Sequence, residues 1–251
     1  MIYYPVTIKQ IIQMGQGIVS FYVSKPEGLD WEEATHIHVA LPDFDADGTA
    51  NKALVHHLSL ISLPFEEDII ITTRLDSSDS LFKKRLASLQ AGDGLILFKP
   101  GSYLRFERDG RPVVLITMGV AAAVARPLVK RYLQNSEGIP SLTCISLSST
   151  RPAPFAGELD ALGTPGLSLV RPRNRYELLD CLKNIQTDPD PRWLVLGSDE
   201  FLRDIILALR CRGIKDEDIV LDLKPQKRAA LYERMGLDAA QATAPPNTSM
   251  L

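Results

Sequence analysis

Residues 72-TTRLDSSDSLFKKRLASLQAGDGLILFKPGSYLRF-106 change periodicity twice in one short stretch. The chain arrives in a strand rich in Ile and Thr, residues 68–74. From Ser80 to Leu89, Leu81, Phe82, Leu86 and Leu89 then recur at helical spacing, with Asp79 or Ser78 placed to cap the helix. The Ala-Gly-Asp-Gly turn at 91–94 ends it, and 95–99 reads as a strand again. A single helix set among short strands points to a small barrel.

Upstream, 6–12, 17–23, 36–41 and 55–62 are further short strands, separated by Gly, Pro and Asp clusters. Downstream of Gly110 the pattern changes. Continuous apolar strands at 113–117, 141–148, 193–196 and 219–223 alternate with helices at 126–133, 176–185 and 200–212, the last closed by Gly213. That alternation predicts a parallel, doubly wound sheet. The expected organisation is α+β with two domains: an antiparallel β-barrel over 1–109 and an α/β doubly wound domain over 110–224. Residues 225–251 are expected to hold one helix, near 227–235, and a small, polar tail.

The 251 residues suffice for two cores, and 45% hydrophobic with 24% charged residues is a globular profile. A net charge of −3 with interspersed signs argues against a nucleic-acid partner. The start MIYYPVTIKQ lacks a basic, then apolar, leader pattern. The longest apolar run, 112–125, is too short for a bilayer, so no membrane association is expected. Cys144, Cys181 and Cys211 form no closely spaced pair, which fits reduced thiols of a cytoplasmic protein and supplies no cluster ligands.

Four stretches carry a resemblance to the ferredoxin–NADP reductase superfamily of flavoproteins, over about residues 5–224. The first is 56-HHLSLIS-62, which is similar to the family's Arg-x-Tyr-Ser strand. Ser59 and Ser62 match serines there; His56 replaces the arginine and Leu58 the aromatic. The second is 72–106 itself. The third, 113-VVLITMGVAAAVARPL-128, takes the place of the glycine-rich dinucleotide turn but keeps only Gly119. The fourth, 194-LVLGSDEFLRDIILAL-209, places Gly197 and Ser198 at the late strand-to-helix turn.

The resemblance implies an FAD-dependent oxidoreductase fed by NADH or NADPH, in which the flavin and no protein side chain carries the chemistry. It implies that His56, His57, Leu58, Ser59, Ser62, Thr73, Arg74 and Ser80 line the flavin site, with Ser59 beside the ring. Thr117, Gly119, Ser149, Arg151, Gly197 and Ser198 would hold the nicotinamide nucleotide. Electrons would leave to a separate partner, such as a ferredoxin, flavodoxin or oxygenase component.

Each position also has a plainer reading. His56 is an ordinary strand residue, Ser80 an N-cap, 149–151 a solvated loop, and 119–125 a tightly packed helix start. His36 and His38 share a strand face, yet no carboxylate or thiolate is placed to complete a metal site, so none is expected. The altered motifs leave a second function open: a non-catalytic relative that has lost nicotinamide or both cofactors and serves as a binding or assembly subunit.

Overall fold

The computed structural model describes residues 1–46, 48–76, 79–104, 106–148, 152–185 and 189–236. The chain divides into two compact units. One gathers Met1–Ser102, Ala123–Gln134 and Ser149–Leu162; the other gathers Tyr103–Ala122, Asn135–Ser148 and Gly163–Leu251.

The first unit contains β1 (Tyr3–Gly15), β2 (Ile18–Ser24), β3 (His36–Ala40), β4 (Val55–Ser59), β5 (Asp68–Arg74), α1 (Leu81–Leu86) and β6 (Gly94–Gly101). The six strands pair in the order β4-β3-β6-β1-β2-β5, all antiparallel. A bridge between Leu60 and Ile71 joins the two outer strands and closes the sheet into a barrel. Positive φ at Gly15 and Gly17 turns β1 tightly into β2. Alternate residues fill the interior: Val6, Ile8, Phe21, Ile37, Val39, Ile71, Leu95 and Leu97 are buried together. Phe82 and Leu86 of α1 bury their side chains in the same core, which explains their spacing.

Helix α1 is shorter than its periodicity suggests. It stops at Leu86 because the next turn is taken over by side chains: Ser88 Oγ donates to the Arg85 carbonyl, and Asp93 accepts from the Gln90 N–H. Two further helices, α2 (Ala125–Gln134) and α3 (Ala156–Asp160), belong to this unit.

The second unit is a five-stranded parallel sheet of β7 (Val113–Met118), β8 (Leu142–Leu147), β9 (Leu167–Val170), β10 (Arg192–Leu196) and β11 (Ile219–Leu221). Its spatial order is β11-β10-β7-β8-β9, so the winding reverses between β7 and β10. Helices α4 (Arg175–Asn184), α5 (Asp199–Arg210) and α6 (Pro225–Arg234) pack Leu178, Phe201, Ile205 and Tyr232 against Ile116, Trp193 and Val195. The architecture is therefore an antiparallel barrel and a doubly wound α/β sheet, as the alternation of periods predicts.

Candidate functional site

The pleat of β4 sorts the histidine-rich stretch onto two faces. Ile37 pairs with Leu58 and Val39 with His56, so Leu58 and His56 face the barrel interior. Leu58 is buried there, and His56 is half-buried with its ring stacked on Phe82 at 5.6 Å. His38 pairs with His57 and His36 with Ser59, so these four stand on the outer face. His57 is exposed and Ser59 half-exposed. Ser62 is fully buried. Its hydroxyl accepts the Ile70 N–H at 2.9 Å, and its carbonyl accepts the Trp31 indole N–H at 2.9 Å. It ties the β4–β5 connection together.

A basic cluster forms where β5 gives way to α1. Burial holds the His56 imidazole below its ordinary pKa, and the charge of Lys83 adds to this. Lys83 is itself held below its ordinary value, first by burial and then by Arg74. Arg74 donates to the Gln16 carbonyl at 2.9 Å and stands 3.7 Å from Asp76. Thr73 is buried on the same strand, and Ser80 is the N-cap of α1, with its carbonyl accepting the Lys84 N–H. Arg74 and Lys83 repel one another, Asp76 offsets part of this, and an anion relieves the rest, which is the charge a diphosphate carries.

In the second unit, Thr117 sits opposite Leu196 in the β7–β10 register. The residues that follow, Gly119 and Gly197–Ser198, therefore leave the carboxyl ends of neighbouring strands at the point where the winding reverses. Crevices at that point are where doubly wound sheets take ligands. Thr117 is fully buried, and its hydroxyl donates to Ser146 Oγ at 3.0 Å, which pins β7 to β8. Gly119 has φ +65°, and a β-carbon there would meet nothing within 4 Å. The space beside its backbone is open, as a close-approaching nucleotide needs. Gly197 is small for another reason, since a β-carbon there would lie 2.5 Å from the Phe201 ring. Ser198 caps α5, accepting the Phe201 N–H at 3.3 Å. Asp199 and Glu200 occupy the first turn of α5, and each is paired to an arginine, Asp199 to Arg234 at 2.7 Å and Glu200 to Arg175 at 3.2 Å. Ser149 and Arg151 lie outside the described residues.

Two features escape a reading of motifs. Arg126, only 6% exposed, donates to both Glu66 carboxylate oxygens, to Glu158 and to the Ile61 carbonyl. It also lies over the Phe155 ring, while Lys130 adds a bond to Glu66 at 2.7 Å. Burial pushes the Glu66 carboxyl up, but the bonds from Arg126 and Lys130 outweigh it and hold it below its ordinary value. This network clamps α2 to the β4–β5 connection. An arginine inside the apolar run 119–129 is the signal, because a buried guanidinium requires partners. The second feature is Asp222, directly after β11. Burial raises its carboxyl to about 6, against a lowering contribution from the Tyr103 backbone N–H. Cys144, buried in β8, is pushed up to about 12 by burial and is inert as a nucleophile. Among the described residues, no group of three or more histidine, cysteine or acidic side chains is arranged to hold a metal ion, and no helix is long and apolar enough to cross a membrane.

No protein-family sequence profile and no curated protein sequence matches the chain. Solved structures do. The flavohem-like FAD/NAD-binding domain of nitric oxide dioxygenase from Vibrio cholerae O1 biovar El Tor superposes with a TM-score of 0.67 at 17% identity, over 88% of this chain and 98% of that one. A ferredoxin NADP+ reductase from Neisseria gonorrhoeae, solved with bound FAD and NADP, gives 0.72 at 16% identity over 87% and 97%. This is the ferredoxin–NADP reductase fold. The ferredoxin reductase in carbazole 1,9a-dioxygenase shares it, with a TM-score of 0.70 at 12% identity over 88% of this chain and 68% of that one. Within the reductase fold, the barrel is the first unit and the doubly wound sheet the second.

Proposed function

We propose that the chain is a flavin-dependent oxidoreductase that draws electrons from NADH or NADPH through FAD and delivers them to a separate acceptor. The observation that carries this reading is the meeting of Gly119, Gly197 and Ser198 at the carboxyl ends of β7 and β10. The open backbone of Gly119 admits a pyrophosphate. In the barrel, Arg74, Lys83 and Ser80 offer charge and hydrogen bonds to the FAD diphosphate, and Ser59 offers a hydroxyl to the ring. FAD, when bound, supplies hydride acceptance and onward electron transfer. The side chains bind and orient. The structural neighbours solved as a ferredoxin reductase and with FAD and NADP support this reading, and a ferredoxin or an oxygenase component is the corresponding kind of acceptor.

A second reading, a relative without redox activity, draws on Leu58. The residue matching the family's flavin-covering aromatic is packed inside the barrel. One experiment separates the two: the visible spectrum after incubation with FAD and desalting, then anaerobic addition of NADH or NADPH. Retained flavin bands that bleach support the oxidoreductase. In that case Gly119→Ala should keep the flavin and lose the bleaching. A colourless protein overturns the oxidoreductase reading in favour of the second.

A further inference from the structure

We propose that His38 and His57 form a two-histidine site for a divalent transition metal of the class that imidazole favours: copper, nickel or zinc. The two residues are directly opposed on the antiparallel strands β3 and β4, with both side chains on the outer face of the barrel. Their Nε2 atoms are in contact, and the two rings meet edge to face with centroids 3.6 Å apart. Two imidazoles joined this way share one proton, one ring as donor and the other as acceptor. A metal takes that proton's place and binds both nitrogens, while the donor ring moves its proton to Nδ1.

Both rings are supported from behind. His38 stacks on Phe98, with centroids 4.9 Å apart and planes 28° apart. His57 lies parallel to His36 at 5.6 Å and 16°. Such packing holds the His38 ring in place while the exposed His57 ring remains the one that moves. Nitrogen–metal bonds of about 2.0–2.1 Å need the two Nε2 atoms a few ångströms apart, so the exposed His57 ring, now edge-on to His38, swings outward to admit the metal. Water completes the coordination shell, because no third protein ligand converges among the described residues. Three of the chain's four histidines thus stand on this one face, and the fourth, His56, faces inward.

The test is a titration of tag-free protein with Cu2+, Ni2+ and Zn2+ against a chelating dye, with electron paramagnetic resonance of the Cu2+ form. The expected result is one ion per chain and two coordinating nitrogens. His57→Gln, at an exposed site, should weaken binding about tenfold or more while leaving the circular dichroism unchanged. His38→Gln should do the same. His56→Gln should bind as the parent does. Equal affinity for the parent and His57→Gln, or an equal loss in His56→Gln, would overturn the proposal.

Discussion

A β-carbon on Gly197 would lie 2.5 Å from Cδ1 of Phe201, whose side chain is 1% exposed and has no room to retreat. The strand β10 therefore ends in glycine for a packing reason, and α5 begins where that contact allows. Gly197→Ala should destabilise the fold by about 1–3 kcal/mol through overpacking. Adding Phe201→Leu should recover part of the loss. Denaturant titrations of the single and double variants measure both, and an additive double variant would refute the contact.

Arg126 and Glu66 form a largely buried pair, and Arg126→Ala should lower stability by about 3 kcal/mol, since it leaves a half-buried carboxylate with only Lys130 and the Leu63 N–H as partners. The Glu66 carboxyl is held below its ordinary 4.5 in the fold. Its contribution is therefore present above pH ~4.5 and is lost as pH falls through the lower folded value. Glu66→Gln should flatten that acid limb in thermal melts taken from pH 6 downward.

Asp222 titrates in the opposite sense. Its folded value of about 6 lies above the ordinary 3.8. The folded state keeps a proton that the unfolded chain has already lost, so stability falls as pH rises from about 4 to about 6 and stays reduced above. Asp222→Asn should gain up to about 3 kcal/mol at pH 7.5 and nearly nothing at pH 4. Equal gains at both pH values would contradict the assignment.

Burial, with the charge of Lys83 adding to it, holds the His56 imidazole below its ordinary pKa. The unfolded chain binds that proton more readily, so the fold loses stability as pH drops below ~6.5. An FAD diphosphate placed among Arg74, Lys83 and Ser80 reverses part of this. The imidazole pKa should rise on adding FAD, and FAD should bind more tightly at pH 6 than at pH 8. Imidazole proton chemical shifts across a pH series follow both. A His56 titration blind to FAD would place the diphosphate elsewhere.

The outline of the molecule is written in its periodicities, and so are most of its elements. The parity of β4 is a structural finding: Leu58 and His56 share the inward face, although the family-like motif groups both with Ser59. What the one-dimensional pattern hides is how that parity divides the family-like motif. It leaves Ser59 outside with His57, and sends His56 to stack on Phe82. α3 and β9 are invisible for a different reason. They are short, and Pro152, Pro154, Gly157, Gly163, Pro165 and Gly166 crowd around them and mask their periods. The Arg126 clamp joins residues about sixty positions apart, and no local pattern reports such a partnership.

The chain passes between its two compact units five times, at Ser102–Tyr103, Ala122–Ala123, Gln134–Asn135, Ser148–Ser149 and Leu162–Gly163. Neither unit can be excised as one continuous fragment. On the ribosome, the barrel-bearing unit stays incomplete until α2 and α3 have emerged, by which time β7 and β8 of the other unit are already synthesised. A gene fragment encoding the first hundred residues alone would lack α2, the helix whose Arg126 clamps the β4–β5 connection.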